Sequence, residues 1–184
     1  MTNQAASAEA PAMPEPIPFY VEDMLAAAKN ATGLSDFGDM GFTTGLEILC
    51  NSLRNEANLH EGGVIGQGQE LLRLLVNRLR YIEDVKRHPE IREEKIVAPI
   101  VVVGLPRTGT SKLQRVMSGD PDVQRLEVWR LLNPAPFPGE EPGNPAERIE
   151  FGKIVEDTFR TQFPGWMARH PMEAQDPDEE LLIM

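Results

Sequence analysis

The sequence predicts an α/β fold: a parallel sheet flanked by helices, preceded by a helical N-terminal section. Three observations predict it. Apolar residues recur at helical spacing through the first half of the chain, IVAPIVVV at residues 96–103 is a continuous and largely β-branched run, and GLPRTGTS directly after it leads into another helical pattern. An apolar run bounded by charges and a glycine suits a strand buried on both faces, and such strands belong to parallel sheets covered by helices.

The bulk numbers fit one folded domain. At 184 residues, 41% apolar and 26% charged, the chain can bury a sizeable core. Its net charge of −11 excludes a general nucleic-acid or anionic-membrane binder, so any anionic ligand needs a local cationic site. Cys50 is the only cysteine, which excludes an intramolecular disulfide and fits a reducing compartment. The first residues lack the basic start and apolar stretch of a secretory signal, and no run approaches the roughly 20 apolar residues that cross a bilayer. A cytoplasmic location is the expectation.

Residues 1–17, rich in Ala, Pro and small polar types, are expected to form a mobile tail. Residues 18–95 read as the helical section. Met24, Leu25 and Ala28 share a helical face that breaks at Gly33; Leu46, Leu49, Cys50 and Leu53 form a second. A glycine interruption at 62–68 precedes Leu71, Leu72, Leu75, Leu79 and Ile82, and His88 before Pro89 ends that helix. His60 and His88 have no partners at metal-ligand spacing and read as cap or surface residues.

Residues 96–184 read as the start of the α/β domain. A helix is predicted over residues 111–117, a second strand near 123–128, irregular structure across the prolines of 134–145, and a helix through Phe151, Val155, Phe159 and Phe163. The terminal apolar run, Leu181 onward, reads as continuing into a buried element, so the domain is expected to be incomplete and its exposed edge to favour self-association.

Residues 104–111 have the spacing GxxxxG followed by two hydroxyl residues, between a predicted strand and a predicted helix. That context makes the loop P-loop-like: glycines let the backbone turn, and amides of about 108–111 point at one anion with the helix dipole behind them. Arg107 adds a guanidinium that can make two parallel bonds to phosphate or sulfate oxygens. The loop also sits in a basic island. Residues 107–130 hold Arg107, Lys112, Arg115, Arg125 and Arg130 against three acids, whereas residues 139–184 hold eleven acids. In triphosphate-binding loops a lysine follows the second glycine. Here Thr110 takes that place, which favours a ligand presenting a single phosphate or sulfate group.

VVGLPRTGTSKL resembles the 5'-phosphosulfate loop of the sulfotransferases that use 3'-phosphoadenosine 5'-phosphosulfate, in the bacterial branch with PRTGT. TGLSDFGD, ANLHEGG, VNRLRYIEDVKRHPEI, DPDVQRLEVWRLLNPAPFP and RHPMEAQDPDEE resemble the same branch in order, so the likeness covers nearly everything from Val21 onward. The resemblance implies that Arg107, Thr108, Gly109, Thr110 and Ser111 hold the phosphosulfate. Arg107 would also stabilise charge on the bridging oxygen. It implies a metal-free transfer to a hydroxyl or amine on a small or lipid-like acceptor.

Two residues are candidates for the general base, and the choice between them stays open. Glu127 lies 20 positions after Arg107, similar to the separation at which several members carry a catalytic glutamate; His170 lies in HPME, where the branch usually has a histidine. Glu179 matches an acid common in the branch and also reads as part of a solvated acidic run. Trp129 is followed by Arg130 where the branch usually has Trp-Glu, a reversal of charge. The residues that grip the 3'-phosphate in the family fall beyond the matched stretch. The alternatives are a P-loop kinase or nucleotide hydrolase with a magnesium-dependent triphosphate site, and a non-catalytic helical module that keeps the loop as scaffold.

Overall fold

The computed structural model describes residues 16–105 and 107–183, and most of them lie in helices. Most of the tail predicted over 1–17 lies outside the described residues. Helix α1 (Val21–Thr32) buries Met24 and Ala28 and ends on Gly33, whose left-handed φ of 70° lets its N–H reach the Lys29 carbonyl. Helix α2 (Phe42–Asn55) buries Leu46 and Cys50, again one turn apart. These faces meet α3 (Glu61–Arg87) around Leu71, Leu75 and Leu79, with Phe19 and Phe37 closing the first core.

Helix α3 departs from expectation by running straight through Gly62, Gly63, Gly66 and Gly68. Each interior glycine costs about 1 kcal/mol relative to alanine. Two contacts offset this: the His60 ring accepts the Gly63 N–H at 3.2 Å, and Gly68 packs beneath Ile17. At its other end α3 stops at His88 as the following proline requires, and a 3-10 turn, Pro89–Glu93, follows.

The predicted sheet is not there. Among the described residues there is no strand, and the one recorded bridge is an isolated antiparallel pairing of Glu127 with Pro177. Residues 96–103 form no regular structure and are mostly solvent-exposed, with Ile96 at 85% and Val103 at 86% of full exposure. Local composition favours a strand, but a strand exists only through ladder bonds to a neighbour. No described segment pairs with it, and Ala98, at φ 51°, kinks the run. The second strand expected near 123–128 reduces to the bridge at Glu127.

Beyond the loop come α4 (Thr110–Met117), α5 (Val128–Leu132), α6 (Ala146–Gln162), α7 (Pro164–Met167) and a 3-10 turn, Glu180–Ile183. Val128, Leu132, Met167 and Met172 form a second core, flanked by Phe151, Val155 and Phe159. The proline-rich stretch between α5 and α6 is irregular, as predicted. It is held by Arg148, which pairs with the enclosed carboxylate of Glu140 at 2.6 Å, donates to the Asn133 carbonyl and lies over the Trp129 ring. From α3, Arg73 and Asn77 both donate to the Leu132 carbonyl, at 2.6 and 2.7 Å, and so tie the two cores together.

Helix α6 also anchors the segment that follows α7. Glu156 accepts the Ala174 N–H at 2.9 Å and the Arg160 guanidinium at 2.6 Å. Burial pushes its carboxyl up, but these two donors outweigh burial and hold it below its ordinary value. A depressed carboxyl contributes stability that is present above its unfolded pKa and is lost as pH falls through the folded one. The stability gap between the wild type and Glu156→Gln is therefore expected to shrink between pH 7 and about pH 3 in denaturant titrations.

Close approach of α5 and α6 is set by Gly152, where an added Cβ would lie 2.9 Å from the Trp129 Cβ and 3.2 Å from the Ala174 Cβ. Gly152→Ala is expected to lower unfolding free energy by about 1–3 kcal/mol despite alanine's better helix propensity, as read by urea denaturation.

Candidate functional site

The loop from Gly104 into α4 is shaped by three backbone constraints. A Cβ on Gly104 would lie 2.7 Å from both Thr108 Oγ1 and Thr110 Cγ2, so only glycine lets those side chains fold back over it. Arg107 and Gly109 are both left-handed, at φ 68° and 92°, and turn the chain sharply into the helix. Thr108 then ties the turn down: its N–H and its hydroxyl both donate to the Leu105 carbonyl, at 3.3 and 2.6 Å.

Helix α4 begins at Thr110, and Leu113 N–H donates to the Gly109 carbonyl at 3.0 Å. Just before it in the same turn, the amides of Ser111 and Lys112 meet no acceptor among the described residues. They are the orphan donors every helix start leaves, carrying the positive end of the dipole. Arg107 and Lys112 are exposed beside them, and neither makes an ion pair among the described residues. Of the amides expected to face an anion, that of Thr108 is instead spent on the loop itself.

This helix start forms one wall of a cavity of about 880 Å³. The opposite wall is the chain around Arg169, His170, Asp178 and Glu179. Three side-chain contacts clamp that wall to α4. Ser111 Oγ donates to Glu179 Oε1 at 3.1 Å, Gln114 Nε2 to the Asp178 carbonyl at 2.8 Å, and Arg115 Nη2 to the Pro171 carbonyl at 2.5 Å. The acidic end of the chain thus folds onto the basic island around the loop. Arg107, Lys112, Arg115 and Arg169 line the cavity together with Asp178, Glu179 and Glu180.

The two candidate bases part company here. His170 lines the cavity, with its Nε2 3.1 Å from Asp178 Oδ1. Glu127 caps the start of α5 outside the cavity lining, between Arg125 at 3.3 Å and Arg130 at 2.9 Å. The Arg130 contact is an ion pair by distance, although it lacks hydrogen-bond alignment. Arg130, the charge reversal noted in the sequence, therefore has a local partner. Trp129 is buried against Arg148 and Gly152, and Phe137 packs edge-on to Phe151, so neither faces the cavity. Trp166 is half-exposed beside the His170 ring.

Sequence reasoning missed Asp178 and Gln114. Nothing in the local pattern separates Asp178 from its acidic neighbours, and Gln114 reads as an ordinary polar helix position.

A helix N-terminus with open amides, a guanidinium and a histidine thus line one cavity, an arrangement that suits an anionic group. Residues 99–184 match the profile of the sulfotransferase family. The structure is similar to the sulfotransferase STF1 from Mycobacterium tuberculosis H37Rv, with a TM-score of 0.66 and 29% identity over 90% of this chain. It is also similar in fold to the sulfotransferase STF9 from Mycobacterium avium, with a TM-score of 0.74 and 22% identity over 88% of this chain. The likeness covers 46% of the first of those chains and 42% of the second, so this chain spans under half the length of either. No match was found among curated proteins. The resemblance read from the sequence is borne out at the level of the family.

Gly104→Ala is expected to push Thr108 and Thr110 aside and weaken binding of adenosine 3',5'-bisphosphate about tenfold in calorimetric titration, since about 1.4 kcal/mol of misfit suffices. Unchanged affinity would show that the turn at Gly104 does not shape the anion site.

Proposed function

We propose that this chain is part of a sulfotransferase that moves a sulfuryl group from 3'-phosphoadenosine 5'-phosphosulfate to a hydroxyl or amine on a small or lipid-like acceptor. The observation that carries it is the meeting, on one cavity, of the open α4 amides with His170. The Ser111 and Lys112 N–H groups, with the side chains of Arg107 and Lys112, suit one tetrahedral oxyanion. Thr110 and the left-handed Gly109 set the helix start; Thr108 holds the turn. The absence of a lysine at Thr110 argues against a triphosphate on this loop.

Chemically, the acceptor oxygen or nitrogen bonds to sulfur as the bond from sulfur to the bridging oxygen breaks. The electron pair leaves with adenosine 3',5'-bisphosphate, and the acceptor proton goes to a base. We assign His170 as that base, because it lines the cavity whereas Glu127 is engaged by two arginines away from it. Arg107, exposed at the turn, stabilises the charge left on the bridging oxygen.

Calorimetry tests the assignment. Adenosine 3',5'-bisphosphate is expected to bind without magnesium, and Arg107→Ala to weaken it roughly tenfold or more. Binding of ATP that requires magnesium, with none of the bisphosphate, would contradict the reading and favour a kinase. Indifference to Arg107→Ala would favour the loop as scaffold. His170→Ala is expected to lower kcat by roughly 10²–10⁴ while leaving bisphosphate affinity within about twofold.

A further inference from the structure

We propose that Asp178 is a positioning residue: it fixes the tautomer of His170 and locks the imidazole in register with the α4 anion loop. The inference rests on the reading of His170 as base and deepens it. Asp178 is buried, with its side chain 8% exposed. Its carboxylate faces the imidazole with both oxygens, at 3.1 and 3.3 Å from Nε2, and Oδ1 also accepts the Glu179 N–H at 2.8 Å. A carboxylate only accepts, so Nε2 must carry the hydrogen, which leaves Nδ1 as the lone-pair nitrogen able to take a proton. Among the described residues Nδ1 has no hydrogen-bond partner. The Trp166 ring, 5.8 Å away between centroids, limits swinging of the imidazole.

The backbone of Asp178 does the second part. Its N–H donates to the Leu126 carbonyl at 3.2 Å and its carbonyl accepts from Gln114 on α4 at 2.8 Å. The next residue, Glu179, takes the Ser111 hydroxyl. Consecutive residues therefore hold the base with one side chain and the anion-binding helix with the other. A shift of the 178–179 segment would move the imidazole and the helix start relative to one another, which is the distance that transfer depends on.

The test uses the full chain labelled with 15N-histidine, observed by NMR at about pH 9, where imidazoles are neutral. His170→Gln identifies the His170 signals. The expected result is a single tautomer in the wild type, protonated on Nε2. In Asp178→Asn the side chain can turn its amide N–H toward Nε2, so the Nδ1-protonated form is expected to become substantial. Asp178→Glu is expected to restore the original tautomer in part. In turnover, Asp178→Asn lowers kcat roughly tenfold or more with little change in donor KM. A wild-type His170 protonated on Nδ1, or the same single tautomer in Asp178→Asn, overturns the proposal without any need for activity. If the tautomer behaves as expected while His170→Ala keeps full turnover, the base assignment fails and the positioning contact stands.

Discussion

A helix cannot satisfy its own first amides, and this site depends on where that shortage falls. Because the chain turns through left-handed Arg107 and Gly109, α4 begins with the Ser111 and Lys112 N–H groups unclaimed among the described residues. Had the loop continued as helix from Leu105, carbonyls one turn back would have consumed them. The Thr108 hydrogen bonds to Leu105 oppose that continuation by spending the Leu105 carbonyl on a tight turn. A net charge of −11 makes a local donor set of this kind necessary for any anionic ligand.

The rest of the second core serves to bring a second wall to that helix start. Glu156 of α6 fixes Ala174, the bridge at Pro177 fixes the chain beside Glu127, and Gln114 and Ser111 fix residues 178 and 179. Between those anchors lies His170, carried on the short α7 and its following turn. The first core acts at a distance. Through Arg73 and Asn77 it holds the Leu132 carbonyl, and Arg73 also holds that of Leu182, so α3 sets where α5 and the final turn sit.

Helices were legible because burial of Met24 with Ala28, Leu46 with Cys50, and Leu71 with Leu75 and Leu79 leaves a periodic trace in the chain. The glycines of α3 misled because propensity is local while part of what offsets it, the packing of Ile17 on Gly68, comes from far away in the sequence. Residues 96–103 misled for the complementary reason. Their composition meets every local criterion for a strand, yet strand formation is a relation between two segments, and the described residues supply only one. The loop was legible as spacing plus context. Asp178 was not, because its significance is a tertiary contact across eight residues that leaves no spacing rule behind, and only the fold shows that His170 lines the cavity while Glu127 does not.

The account stands or falls on the open end of α4. Titrating 15N-labelled chain with adenosine 3',5'-bisphosphate and following backbone amides by NMR tests it directly. Saturable downfield shifts are predicted for Ser111 and Lys112, larger than those of any amide in α1 to α3, and without added magnesium. Shifts confined to other regions, with these two amides unmoved at saturation, would contradict it.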